Sequence, residues 1–181
     1  IRSLCAVLFP KPRQLHRATQ FYQIVPGFFG IQNSLFAAHQ PHRSLENDIA
    51  SDMLQTGVDV MLSGGLRHWI PKSTNDKGDT YAQLEKLTQG DVYLKSKRKD
   101  DRNLLTEAQE DGYQLAFNRS MLDKANGDKI LGLFSYSGMD DGIAYTNSKQ
   151  DPKRSQPSLK EMTEKAINTL AKDNDGLFMM F

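Results

Sequence analysis

The chain has 181 residues, 38% of them hydrophobic and 25% charged, with a formal net charge of +1, which is typical of a soluble globular protein and excludes a largely disordered chain. No run of about 18 or more apolar residues occurs, so the sequence predicts no membrane-spanning helix. The single cysteine, Cys5, excludes an internal disulfide and a zinc site built of cysteines.

Charge is unevenly distributed at the start of the chain. Residues 1–45 contain no Asp or Glu, and their five cations are Arg2, Lys11, Arg13, Arg17 and Arg43. A basic arm that contacts nucleic acid or a membrane is one interpretation. We favour the interpretation that this segment has a different origin from the rest of the chain. Five cations interspersed with Phe and Pro give a diffuse charge and not the concentrated patch that a basic arm would need. The chain begins at Ile1, and its first residues do not match a clean signal-peptide pattern, so the sequence predicts none.

Helical and strand patterns alternate from about residue 44 onward. Apolar residues at helical spacing predict helices over 45–55, 103–111, 119–125 and 158 to about 175. Short apolar runs predict buried strands over 58–62, 113–117, 129–134 and 177–181. Residues 66–100 and 135–156 are predicted to be long loops. This alternation predicts an α/β fold, with a mostly parallel sheet and helices on both faces.

The last predicted helix has the clearest start signal. Ser158 and Glu161 form a capping-box pattern, in which each residue's side chain accepts a hydrogen bond from the other's backbone amide. The apolar residues that this helix is expected to bury are Leu159, Met162, Ala166, Ile167 and Leu170.

Two short patterns could bind a ligand by themselves. Ser63-Gly64-Gly65 follows a predicted strand and could cradle a phosphate, but it lacks the spacing of nucleotide-binding fingerprints, so we favour a strand-ending turn. His39 and His42 could hold a metal, although Pro41 separates them and no third ligand is in view.

Charged runs and paired carboxylates favour no catalytic set. The run Lys95-Ser-Lys-Arg-Lys99 is predicted to be a solvated face, with a nucleic-acid contact as the alternative. The neighbouring carboxylates Asp100-Asp101 and Asp140-Asp141 would point apart in an extended chain, which disfavours acid–base pairing. No G-x-S-x-G elbow occurs and no nucleophile stands out.

Several short sequence motifs, which occur in the same order along the chain, resemble the middle of a bacterial alkaline phosphatase. The first two are His39-x-x-x-Arg43 with Glu46-Asn-Asp-Ile-Ala50, and Gly57-Val-Asp-Val-Met-Leu-Ser-Gly-Gly65. The later ones are Asn103-Leu-Leu105, Asp111-Gly-Tyr113, Ile130-Leu-Gly-Leu-Phe134, Pro157-Ser-Leu-Lys-Glu-Met-Thr-Glu-Lys-Ala166 and Gly176-Leu-Phe-Met-Met180. The resemblance covers roughly residues 36–181 and implies an incomplete piece of the alkaline phosphatase fold, with a loop excursion near 66–100.

The resemblance implies phosphomonoester hydrolysis by a serine nucleophile with two zinc ions and one magnesium ion in the intact enzyme. Arg43 matches the family's arginine that clamps two oxygens of the phosphate. Phosphate monoesters are the implied partners, without nucleic acid or membrane. Family members are commonly exported homodimers, which implies a periplasmic or secreted location and a homodimer as one state of the intact enzyme.

The departures from the family pattern restrict what this chain is expected to do alone. The nucleophile motif Asp-Ser-Ala is absent, and no Ala-Thr-Pro motif stands near residues 30–33. The magnesium-binding Glu is expected just after Phe181, and Ser135 stands where vertebrate relatives carry a calcium-binding Glu. We therefore expect no catalytic residue, no metal ligand and no bound metal within this chain, and no turnover by it in isolation.

Two hypotheses remain beside this interpretation. Residues 1–35 are unmatched, and we interpret them as an out-of-frame or disordered segment. The alternative function is a non-catalytic α/β module that binds phosphate or a nucleotide through Ser63-Gly64-Gly65.

Overall fold

The structure, a computed structural model, describes residues 6–10, 38, 40–42, 44–140, 146–147, 151, 154–172 and 177–180. Residues 6–10 and 177–180 are described by their backbone alone. No helix in these ranges is long and apolar enough to cross a membrane.

The described residues form five strands and five α-helices. In chain order they are β1 (Ala6–Pro10), α1 (Glu46–Thr56), β2 (Val60–Ser63), α2 (Asp79–Thr88), α3 (Leu104–Glu110), β3 (Gln114–Ala116), α4 (Arg119–Lys124), β4 (Ile130–Leu133), α5 (Leu159–Leu170) and β5 (Leu177–Met180). Two 3-10 helices, Leu66–His68 and Lys72–Asp76, lie between β2 and α2. The predicted helices and strands are confirmed to within about two residues at most ends.

The five strands form one sheet in the order β3-β4-β2-β1-β5. β2, β3 and β4 are parallel, with Ile130 of β4 opposite Val60 on one side and Gln114 on the other. β1 is antiparallel to both β2 and β5, so β5 runs in the same direction as the other three strands. The predicted, mostly parallel sheet is therefore confirmed.

Alternate residues of the strands supply two apolar cores, one on each face of the sheet. Met61 and Leu131 belong to a core shared with α1 and α3. Val60 and Ile130 belong to the opposite core, shared with α4 and α5. Because side chains alternate across a strand, this division shows helices on both faces, as predicted.

The prediction of a loop over residues 66–100 is wrong for α2 and the two 3-10 helices. α2 begins after Gly78 and ends at Thr88, and the next residue, Gln89, has a φ of 58°. Among its residues only Leu84 and Thr88 are buried, so its apolar stripe is too narrow to produce a clear helical pattern. The family-level domain boundaries remain predictions.

α5 confirms the predicted capping box but corrects its buried face. The Glu161 amide donates to Ser158 Oγ at 3.2 Å, and the Ser158 amide donates to Glu161 Oε2 at 2.7 Å. Leu159 and Ile167 are 48% and 41% exposed instead of buried. The helix also ends at Leu170, before the predicted end near residue 175. The sheet contacts a narrower stripe, whose residues are Met162, Ala166, Thr169 and Leu170.

Candidate functional site

The carboxyl ends of the parallel strands β2 and β4 meet at one edge of the sheet, where α/β proteins usually place their sites. The chain after β2 is fixed to the chain after β4 by two backbone bonds. The Leu66 amide donates to Ser135 O at 3.1 Å, and the Arg67 amide donates to Tyr136 O at 3.3 Å. The loop after β4 therefore lies against the turn after β2.

Gly64 makes this close approach possible. A Cβ at this position would collide with the carbonyl oxygen of Ser137 and the hydroxyl of Ser135. Two of the amides that follow the turn already donate to backbone oxygens. These contacts support the interpretation of Ser63-Gly64-Gly65 as a strand-ending turn, because its role is close packing.

A cleft of about 420 Å³ opens beside this edge. It lies between the start of α1, the 3-10 helix after β2 and the extended segment before α3. Its lining residues are Ser44, Glu46, Asn47, Arg67, His68, Lys97 and Lys99. We call this the cationic cleft, because it has three Lys or Arg side chains against a single carboxylate.

Hydrogen bonds define the tautomer of His68 at the floor of the cationic cleft. Its Nε2 accepts a bond from Arg67 Nε at 2.8 Å, and its Nδ1 lies 2.7 Å from Asn47 Oδ1. The Asn47 amide nitrogen donates to Lys97 O at 3.3 Å, which assigns Oδ1 as the acceptor. His68 is therefore neutral and carries its proton on Nδ1.

Burial is the main reason that His68 stays neutral. Burial is the largest of the causes that together lower the pKa of His68 to about 4, and the charges of Arg67, Arg98 and Lys97 act in the same direction. Glu46 opposes them, since its Oε2 lies 3.1 Å from His68 Nε2, but its effect on the pKa is smaller than that of burial. The exposed half of the Glu46 side chain keeps its charge partly screened by water.

Arg98 fixes the extended segment that forms one wall. Its guanidinium is buried and binds Asp100 through two bonds, of 2.6 and 2.8 Å. It also donates to the backbone oxygens of His68 at 3.0 Å and Asn47 at 3.3 Å. One side chain thus ties the segment to α1 and to the 3-10 helix.

The prediction of a solvated face over Lys95–Lys99 is therefore only half right. Ser96 and Arg98 are buried, whereas Lys95, Lys97 and Lys99 are exposed. The segment is extended, so its side chains alternate between the protein and water. The predicted divergence of Asp100 and Asp101 agrees with the structure, because Asp101 Oδ1 accepts a bond from the Ser73 amide instead.

A pair of tyrosines packs beside Arg67, one of the residues that line the cationic cleft. Tyr93 is 65% exposed and meets Tyr136 edge to face, with ring centroids 5.3 Å apart. The Arg67 guanidinium lies over the Tyr136 ring at 5.6 Å, and it also donates to Ser137 Oγ. The sequence did not predict this group, because no periodic pattern connects residues 67, 93 and 136.

The predicted site residues fall mostly outside the described part of the chain. Arg43 and His39 lie outside the described residues, as does Phe181, and Arg43 therefore remains a prediction. His42 is described and exposed, and Ser44, the residue after Arg43, lines the cationic cleft.

The described residues do not fit a zinc or magnesium site. Among them, no three His, Cys, Asp or Glu side chains are grouped so that they could hold a metal ion. Glu46 and His68 are the only such residues that line the cationic cleft, and His68 already bonds through both ring nitrogens. We therefore assign no metal-dependent step to the described residues.

Comparison with known proteins identifies the chain's relatives. The family model for alkaline phosphatase matches residues 31–181. Alkaline phosphatase 3 of Bacillus subtilis is 31% identical over 151 residues, and the match covers 80% of this chain and 25% of that protein. The repressible alkaline phosphatase of Saccharomyces cerevisiae is 29% identical over 163 residues, with the same two coverages.

Solved structures of alkaline phosphatases share the fold. The Thermus thermophilus alkaline phosphatase superposes with a TM-score of 0.58 at 25% identity, covering 79% of this chain and 24% of that one. The alkaline phosphatase of the Antarctic bacterium TAB5 gives a TM-score of 0.52 at 22% identity, covering 78% and 32%. The chain thus spans about a quarter of the length of the curated relatives that it matches. The match over residues 31–181 shows that this chain belongs to the alkaline phosphatase family.

Proposed function

We propose that this chain supplies the phosphate-clamping part of a phosphomonoesterase, with Arg43 as the residue that binds the transferred phosphate. The observation that carries the proposal is the family match over residues 31–181, which includes Arg43. The planar fork of an arginine can donate two parallel bonds to phosphate oxygens and offset their charge. The next residue in the sequence, Ser44, lines the cationic cleft.

The chemistry of the reaction belongs to the intact protein in this proposal. Zinc and magnesium ions of the family enzyme would activate the nucleophile and stabilise negative charge on the reacting oxygens. A variant of the TAB5 enzyme has been solved with Mg bound in its M3 site. We expect residues other than those described to hold the two zinc ions and the magnesium ion, because the family's nucleophile motif and its Ala-Thr-Pro motif do not occur in this sequence. The magnesium-binding Glu predicted after Phe181 is one of them.

Location and assembly of the intact protein are part of the same proposal. We expect export to the periplasm or the medium, and we expect homodimers. Cell fractionation and sedimentation of the intact protein would test these expectations, and a cytosolic monomer would contradict both.

Hydrolysis of p-nitrophenyl phosphate by the intact protein tests the role of Arg43. We expect Arg43→Ala to lower kcat/KM by about 10²- to 10³-fold, the usual effect of removing a group that stabilises transition-state charge. Arg43→Lys should recover only part of the loss, since an ammonium group cannot make the bidentate contact. Lys95→Ala, a charge removal on an exposed side chain outside the cationic cleft, is the matched control.

The 181-residue chain by itself provides the second arm of that experiment. We expect it to show no turnover above the buffer rate, with or without added Zn²⁺ and Mg²⁺. Turnover by the purified chain that a chelator abolishes would contradict the expectation that the chain alone holds no metal-dependent catalytic site. Full activity of the intact Arg43→Ala variant would contradict the clamp.

A further inference from the structure

The cationic cleft carries more positive charge than its single carboxylate neutralises. Arg67, Lys97 and Lys99 line it with three positive charges, and Glu46 is its only carboxylate. Arg67 is partly paired with Glu46 at 3.4 Å, and His68 is neutral. Neither lysine appears in an ion pair among the described residues. A cleft with a net charge of about +2 is suited to an anion.

The start of α1 adds to this positive character. Ser44, Glu46 and Asn47 line the cleft, so the first turn of this 11-residue helix faces it. Leu45, the N-cap residue, provides no side-chain acceptor for the first-turn amides. Uncapped amides and the positive end of the helix dipole favour phosphate groups.

Arg98 holds the two lysines in place for such a ligand. Because the extended segment alternates, an inward Arg98 directs Lys97 and Lys99 outward, about 6.5 to 7 Å apart along the chain. The Lys97 amide donates to Arg67 O at 2.8 Å, which fixes the segment against the 3-10 helix. The backbone that carries the two lysines is therefore fixed, so binding has to order only their exposed side chains and not the segment itself.

We propose that the cationic cleft binds a second phosphate group of the substrate, so that the protein favours phosphomonoesters that carry another phosphate. This inference rests on the proposed function, in which Arg43 binds the phosphate that is transferred. Glu46 competes with the ligand in this arrangement, because its carboxylate contacts Arg67 at 3.4 Å from inside the cleft. Binding of the second phosphate displaces Glu46 from Arg67.

Calorimetric titration of the 181-residue chain with two matched ligands tests the proposal. The ligands are butyl phosphate, which has one phosphate, and butane-1,4-diol bisphosphate, which has two. A series of diol bisphosphates with shorter and longer chains is titrated as well, so that the distance between the two phosphates is varied. We expect the best bisphosphate to bind about tenfold more tightly than butyl phosphate, since each partly exposed charge contact contributes about 0.2–1 kcal/mol.

Variants that remove charged side chains test whether the lysines of the cationic cleft cause the preference for a bisphosphate. The Lys97→Ala/Lys99→Ala double variant should lose it, whereas Lys86→Ala/Lys95→Ala should keep it, because both pairs remove two exposed charges and only the first pair lines the cleft. Glu46→Gln should tighten bisphosphate binding by about threefold, because the competing carboxylate is gone.

Three results would overturn the inference: no preference for any bisphosphate, a preference that survives Lys97→Ala/Lys99→Ala, or an equal loss in Lys86→Ala/Lys95→Ala. Arg43→Ala separates this inference from the proposed function. If that variant binds butyl phosphate as well as the parent does, the clamp fails, while the two lysine variants still decide whether the cleft binds phosphate.

Discussion

His68 shows how burial and charge compete at a single residue. Its ring lies beside the carboxylate of Glu46, which would stabilise an imidazolium, yet burial and the neighbouring Arg67 favour the neutral ring. The Arg67 bond to Nε2 also requires a lone pair there. A proton on Nε2 would break that bond and bring two cations together.

This balance predicts how stability depends on pH. The folded pKa of His68 is about 4, below the value of 6.5 for an unperturbed histidine. Between these values the unfolded chain binds a proton that the folded chain does not, so the free energy of unfolding should rise with pH from about 4 to 6.5 and then level off. The rise from this residue should be at most about 3 kcal/mol.

Urea unfolding from pH 4 to 7 measures this rise, and His68→Gln should remove it. His42→Gln is the matched control, because His42 is exposed. Other groups titrate near pH 4, so the comparison rests on the difference between the two variants. An imidazole pKa of 6.5 or higher, measured for His68 by NMR, would show that the Glu46 ion pair outweighs burial.

The arrangement of the residues in the cationic cleft could not be predicted from the sequence. The run Lys95–Lys99 identified a charged segment, but charge alone does not show which side chains face inward. Arg98 is buried because Asp100 and two backbone oxygens satisfy its guanidinium, and those partners come together only in the folded chain. The alternation of Val92, Leu94 and Ser96 was the available signal for an extended segment.

At the scale of elements, local signals predicted most boundaries. The Gly57 end of α1 is one example, because its φ of 72° suits glycine and its amide donates to Leu54 O. The Ser158 capping box is another. α2 was missed because its narrow apolar stripe gave no such signal. Ile167 was misassigned because residues at positions 166 and 167 both suit an apolar face, and contact with the sheet selects only one.

Gly64 gives a prediction at this scale. Gly64→Ala should destabilise the chain by about 1–3 kcal/mol, because the added methyl group would force the loop of Ser135 and Ser137 away from the β2 turn. Thermal or urea unfolding measures the change. Gly78→Ala is the control, since no atom lies within 4 Å of a Cβ added there, and it should cost about 1 kcal/mol or less. Equal costs in the two variants would contradict the packing role of Gly64.

At the scale of the whole molecule, the sheet joins strands that lie within the family match to one strand, β1, that lies outside it. The family match begins at residue 31, whereas β1 lies at Ala6–Pro10, between β2 and β5. The sequence predicted the shared direction of the strands from residue 58 onward, through their alternation with helices. It did not predict β1, because an antiparallel strand inserted between two parallel ones depends on pairing and not on any pattern within the strand. The hypothesis of an out-of-frame segment over residues 1–35 stays a prediction.

The position of β1 makes it the only described link between β5 and the rest of the sheet. Leu8 is opposite Val60 of β2 and Met179 of β5. Leu8→Pro removes a backbone donor from this strand and introduces a ring that a central strand does not accommodate. We expect the amides of 177–180 to exchange with solvent at least about tenfold faster, because β5 loses its pairing partner. The amides of 130–133 should change little, since β4 is paired on both sides by β2 and β3. Hydrogen exchange read by mass spectrometry measures both segments in one molecule, so β4 is the internal control. Unchanged exchange over 177–180 would contradict the pairing of β1 with β5, and an equal increase in both segments would show that the sheet opens as a single unit.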